Sequence, residues 1–166
     1  MDGVGAFEER IVFSPDIPAA VNVLLQAAVL ASRCDETEAE SLFIEALRLD
    51  GHCLETYCAL YKFYFYKERL ADAERATLAG LEEAARQGRF PADYKRLLRD
   101  KDKWNLYANE ITHFYLYSLK ALAFIKLRGG KTLEARLILS AIHELDPEDR
   151  SGASVIADLA SALDEH

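Results

Sequence analysis

Apolar residues along this chain recur at helical spacing, in segments that come in pairs. The segments 37–51, 71–85 and 133–147 each place residues at i, i+4 and i+7 on one face. Ala39, Phe43 and Ala46 fall on Thr77-containing positions 73, 77 and 80 with an offset of 34 residues. Ala135, Leu139 and Ile142 repeat the same three positions after a further 62. A second apolar helix precedes each segment, at 20–32, 54–67 and 116–128, after a break of helix-stopping composition: "SRCDET", "KERLAD" and "RGGKT". The pattern predicts an all-α fold of helix-turn-helix repeats, at about 20–53, 54–87 and 116–149, within one domain spanning 1–166. A 28-residue insertion, at about 88–115, interrupts the period. With Pro91 near its start and no breaker from 92 to 128, it predicts a long helix, kinked near Asp100 to Lys103, that extends the first helix of the third repeat.

The ends are read the same way. "SPDIP" opens the first helix with Ser14 or Asp16 as its cap, and residues 1–14 form an arm or pack "RIVF" back onto that helix. The second repeat lacks a stop at Ala85, which carries its last helix on to Gly88. Residues 150–165 predict a capping helix with Val155, Ile156, Leu159 and Leu163 on its apolar face.

Helix pairs at this period are the mark of the tetratricopeptide repeat, and the chain resembles that family over about 100 residues. The family's large fourth residue is Val23, Tyr57 and Leu119, and its small eighth residue is Ala27, Tyr61 and Ala123, where Tyr61 departs from the pattern. The eleventh is Leu30, Tyr64 and Lys126. The small residues of the second helix are Ala39 and Ala46, Ala73 and Gly80, then Ala135 and Ile142; Gly51 and Pro147 close the first and third repeats. The resemblance implies antiparallel hairpins wound into a right-handed superhelix, with Tyr57, Tyr61 and Tyr64 in the core. It also implies a concave groove lined by Leu24, Ala28, Cys58, Lys62, Phe65, Tyr66, Tyr117, Lys120, Phe124 and Arg128, with Val21 on the same stripe. Such a groove is apolar and aromatic with three cations, the surface that takes a helix or an extended peptide. The clamp by which some members hold the acidic tail of heat-shock chaperones is absent, since its positions carry Leu24, Ala28, Ala59, Tyr117 and Ala121. Small three-repeat secretion chaperones are similar in length, acidity and repeat count, although the insertion departs from their pattern.

Composition narrows the function further. The chain of 166 residues is 51% hydrophobic with 8 Gly and 4 Pro, which favours a packed helical protein. A net charge of −8 argues against general nucleic-acid binding. The exception is "RQGRFPADYKRLLRDKDK" at 86–103, with seven Lys or Arg against three Asp: a solvated face, or a docking patch for an acidic partner or RNA. Three cysteines without framework spacing suit reduced thiols in the cytoplasm. "MDGVGAFEER" has no basic and apolar leader pattern, and the apolar stretch 19–31 is too short to span a bilayer.

Catalytic and metal patterns fail on inspection. "GGKT" at 129–132 lacks the first glycine of a phosphate loop, since Ile125 stands there, and a helix rather than a strand precedes it. "EITH" at 110–113 has no second Glu-x-x-His, and "HCLETYC" at 52–58 has no fourth ligand at finger spacing. The expectation is a non-catalytic adaptor or chaperone without metal or cofactor, binding an apolar, acidic peptide or helix. The alternatives are a scaffold that self-associates, and nucleic-acid binding through 86–103.

Overall fold

The computed structural model describes residues 17–164, and all regular structure among them is helical. The N-terminal arm, "RIVF" and the cap assignments at Ser14 and Asp16 lie outside the described residues. The chain divides into two compact units at Ala76/Thr77, inside a helix rather than at a predicted repeat boundary.

The first unit begins with α1 (Ala19–Ala31), α2 (Glu36–Leu49) and α3 (Leu54–Tyr66), and holds the start of α4 (Leu70–Gly88). Asp35 caps α2 by accepting from the Glu38 amide at 3.1 Å, and Glu36 and Glu38 complement the positive end of the helix. Ala39, Phe43 and Ala46 are all buried, so the repeating face reads correctly. α3 is apolar nearly all round and is accordingly buried nearly all round. Tyr57, Tyr61, Phe63 and Tyr64 lie in the core, and the Phe63 ring meets Phe43 of α2 at a centroid distance of 5.2 Å. Tyr57 donates its hydroxyl to the Gly51 carbonyl at 2.7 Å, tying the α2–α3 turn to the helix that follows it.

A polar brace joins α2, α3 and the entry to α4. Glu40 accepts from the Tyr64 hydroxyl at 2.6 Å and from both terminal nitrogens of Arg69, at 3.1 and 2.9 Å, while Arg69 Nε donates to Asp72 at 3.0 Å. The Arg69 bonds, then the Tyr64 bond, hold the Glu40 carboxyl below its usual 4.5. A lowered pKa stabilises the fold above 4.5, and that contribution disappears as pH falls through the folded value. Glu40→Gln is therefore expected to lose about 0.5–1.5 kcal/mol at pH 7. Its deficit relative to wild type should shrink in urea titrations as pH falls through the folded value; an unchanged deficit down to the acid limit of the fold would remove the charge from the account.

α1 corrects the sequence reading. Val21, Leu25 and Ala28 are buried with Ile17, whereas Val23 and Leu30, assigned to the core side, are 68% and 63% exposed. The turn between α1 and α2 is four residues long, against three in the hairpins α3–α4 and in the third pair below. The buried face of α1 lies two positions from the 34-residue register. The wheel of α1 itself then decides: the Val21/Leu25/Ala28 stripe packs, and Asn22 and Gln26 sit at its margin.

The second unit contains the rest of α4, the short α5 (Tyr94–Arg99), a 3-10 turn (Lys101–Lys103), and the helices α6 (Glu110–Arg128), α7 (Thr132–Leu145) and α8 (Ala153–Asp164). α4 does run to Gly88, where Arg89 takes a left-handed φ of 58° and the Phe90 amide reaches back to the Ala85 carbonyl. α6 packs on α7 and α8, α7 on α8, and α5 on α7.

The expected continuous helix through the insertion is broken. α5 ends at Arg99, the chain extends at Trp104, and Asn105 closes a turn by accepting from the Tyr107 amide at 3.0 Å. Asn109 then starts α6 through a reciprocal capping box with Thr112. Asn and Asp side chains offer the backbone partners that compete with helix, and five of them between 93 and 109 prevail over the missing Gly and Pro. α6 nevertheless begins before residue 116, so part of the insertion does extend the first helix of the third pair.

α8 also differs in its face. Val155, Leu159 and Leu163 are 62%, 47% and 58% exposed, while Ala153 and Ala160 are buried. The helix docks on α6 and α7 by its small residues, which allow close approach, and leaves its larger apolar stripe outward.

Candidate partner-binding surfaces

The ten residues expected to line a groove divide between the units, six in the first and four in the second. In the first, Ala28 and Cys58 are corrected to core: Ala28 has no exposed surface, and the Cys58 thiol is buried against the Tyr61 hydroxyl at 3.3 Å. Ala28 moves inward with the phase of α1; Cys58 does so because α3 is surrounded. Leu24, Lys62 and Phe65 are half-buried, and Tyr66 is 45% exposed. Phe65 and Tyr66 stack edge to face at 5.4 Å, so the last turn of α3 presents a joined aromatic pair above the buried tyrosines.

In the second unit, Tyr117, Lys120 and Phe124 are half-buried and Arg128 is exposed, on one side of α6. Lys120 Nζ sits 4.2 Å from the centroid of Tyr117, a cation held over a ring face. Gly152, at φ +75°, brings its Cα side to within 3.9 Å of that ammonium, measured from where a Cβ would stand. The α6 surface thus offers ring, methylene and charge together.

The rejected motifs resolve as structure. In "GGKT", Gly130 takes φ +80° and the Lys131 amide returns to the Lys126 carbonyl at 2.9 Å, a helix-ending turn. Ile125 is buried within α6. Glu110 and His113 are exposed in the first turn of α6. Among the described residues no three His, Cys, Asp or Glu side chains gather as a metal site. Cys53 is buried, and desolvation pushes its thiol above the ordinary value, which disfavours the thiolate.

Sequence reasoning passed over Asp146. Its carboxylate is buried and accepts from the Ser151 hydroxyl at 2.6 Å, from the Ser151 and Arg150 amides at 2.9 Å each, and from the Tyr107 hydroxyl. Burial works against the charge, but the bonds from Ser151 and Tyr107 outweigh it and hold the carboxyl below its usual value. The signal was present: an Asp just after a helix, followed by Ser five residues on, is a self-capping loop.

No family model matches the chain, and no solved structure matches it. It is similar to a protein of Azotobacter chroococcum mcd 1, the "Uncharacterized 19.8 kDa protein in nifW 5'region". The two are 28% identical over 139 residues, 82% of this chain and 75% of that one.

Proposed function

We propose that the chain is a non-catalytic protein-binding module of tetratricopeptide type, an adaptor or chaperone of the cytoplasm. Its helix pairs are repeats of that family, and it captures an apolar, acidic peptide or helix on its aromatic surfaces. The observation that carries this reading is the aromatic pair Phe65/Tyr66. It stands partly in solvent at the end of a helix whose other rings are fully packed. A core needs no such pair, whereas a partner's apolar side chain gains from it, about 1.5–3 kcal/mol for each ring newly covered before ordering costs. The Tyr117/Lys120 pair and Arg128 supply charge for an acidic ligand.

The test is capture from native lysate by wild type and by Phe65→Ala and Phe124→Ala, with mass spectrometry of what is retained. One protein held by wild type and lost by both variants, at unchanged far-UV circular dichroism, is the expected result. Loss of helicity in either variant would instead assign that ring to the core. The outward stripe Val155/Leu159/Leu163 favours a second reading, self-association through α8. Light scattering distinguishes it: a dimer mass that falls to monomer in Leu159→Glu, with capture unaffected.

A further inference from the structure

The first helix of the described chain, α1, is built without a charged residue. Its 13 positions read AAVNVLLQAAVLA, with no acid in the first turn and no base in the last. One side of it is core, where Val21, Leu25 and Ala28 are buried with Ile17. The opposite side is apolar as well. Val23 and Leu30, at i and i+7, are 68% and 63% exposed, with Ala20 exposed and Ala27 half-buried on the same stripe. A surface helix ordinarily turns charged or polar residues outward, as α2 does with Glu36, Glu38, Glu45 and Arg48. Single exposed aliphatic residues are ordinary. An aligned stripe of them, flanked only by the uncharged Asn22 and Gln26, is a face suited to being covered.

We infer that this stripe seats the N-terminal segment of the same chain, through the apolar residues Phe7, Ile11, Val12 and Phe13. Residues 1–16 lie outside the described residues, and they lead directly into α1 through Ile17 and Pro18. The sequence supplies the reversal. Ser14-Pro15-Asp16-Ile17 has Ser at the first and Pro at the second position of a type I turn, which sends the preceding residues back along the helix. The reach is sufficient too. Val23 and Leu30 stand about 11 Å apart along the axis, and residues 4–13 would measure about 15 Å wound as a helix and more when extended. Size decides the occupant. Two large side chains and their alanines fall far short of the roughly 1,000 Å² that a separate protein or a second copy needs. A segment tethered at the start of the helix needs much less, because a short tether holds it at about millimolar effective concentration. The seat uses none of the aromatic residues of α3 or α6, and the variants that test it leave those residues intact.

The experiment places a thiol on the stripe of the full chain. Cys34 is exposed, whereas Cys53 and Cys58 are buried, so Cys34→Ser removes the fast-labelling thiol. Leu30→Cys and Val23→Cys are added to that background one at a time, which leaves the other large side chain in place. Labelling by a maleimide dye is timed in the native chain and in urea, with Cys34 of the wild type as the exposed standard. Both reporters should be protected about tenfold or more relative to Cys34, at every protein concentration. The triple change Ile11→Ser, Val12→Ser, Phe13→Ser should return both to the Cys34 rate at unchanged far-UV circular dichroism, and Phe13→Ser alone should give an intermediate rate. Reporters that label as fast as Cys34 beside the unaltered segment would overturn the inference. Protection that survives the triple change would do the same. Protection lost on dilution would overturn it by assigning the stripe to a second copy.

Discussion

Replacing Tyr115 by alanine should destabilise the protein by about 3–5 kcal/mol, the range for emptying a large aromatic site. The melting temperature should fall by roughly 6–20 °C for a chain of this size. Tyr115 has no exposed surface. Its ring meets Phe90 edge to face at 5.0 Å, and its hydroxyl donates to the Ala92 carbonyl at 2.6 Å. Burial first, and the nearby Asp93 carboxylate second, raise the phenol far above its ordinary pKa, so it remains a donor throughout the neutral range. Tyr115→Phe separates the two contributions: it keeps the ring, loses one hydrogen bond and should cost about 1 kcal/mol. Equal losses in the two variants, measured by urea denaturation, would mean that the bond to Ala92 carries the site and the packing does not.

The second large effect is expected at Asp146. Asp146→Ala removes the acceptor from the Ser151 amide, the Ser151 hydroxyl, the Arg150 amide and the Tyr107 hydroxyl at once. The Ser151 donors are buried and would find no other partner, so a loss of about 2–4 kcal/mol follows. Tyr107→Phe should cost about 1 kcal/mol alone and much less in the Asp146→Ala background, because the two side chains share one interaction. Full additivity in that double-mutant cycle would show that the Tyr107 hydroxyl acts through another partner, for which the Glu148 amide, donating to it at 2.9 Å, is the candidate.

The helices were legible where the repeat could be checked against itself. Ala39, Ala73 and Ala135 sit at one position of three successive copies, and all three are fully buried. A small residue at a fixed spacing records a close helix contact, and three concordant copies make the record hard to misread. The all-α class followed from the same pattern. What was not legible depended on phase or on competition. The buried face of α1 lies two positions from the repeat register, and neither of its two apolar stripes is distinctive by composition: Val21/Leu25/Ala28 and Val23/Ala27/Leu30 read alike. α8 posed the same choice between its alanines and its larger residues, and close packing favoured the alanines. In the insertion, the absence of Gly and Pro suggests continuity, although Asn109 and Thr112 spell a helix start in plain view. Of the expected surface residues, Ala28 and Cys58 fell into the core for reasons of phase and enclosure. Tyr66 and Arg128 are exposed.

The tie between Tyr107 and Asp146 bears on how separable this protein's parts are. Tyr107 belongs to the stretch that interrupts the period, and Asp146 to the end of the last full helix pair. Tyr115 likewise takes its acceptor from Ala92, inside the same stretch, and Leu97 and Leu106 are both buried. A version shortened by that stretch would lose two buried leucines and the Tyr107 donor, leaving Asp146 with its bonds from Arg150 and Ser151 alone. The interruption thus supports the helix pair that follows it, and trimming it away would remove part of that support.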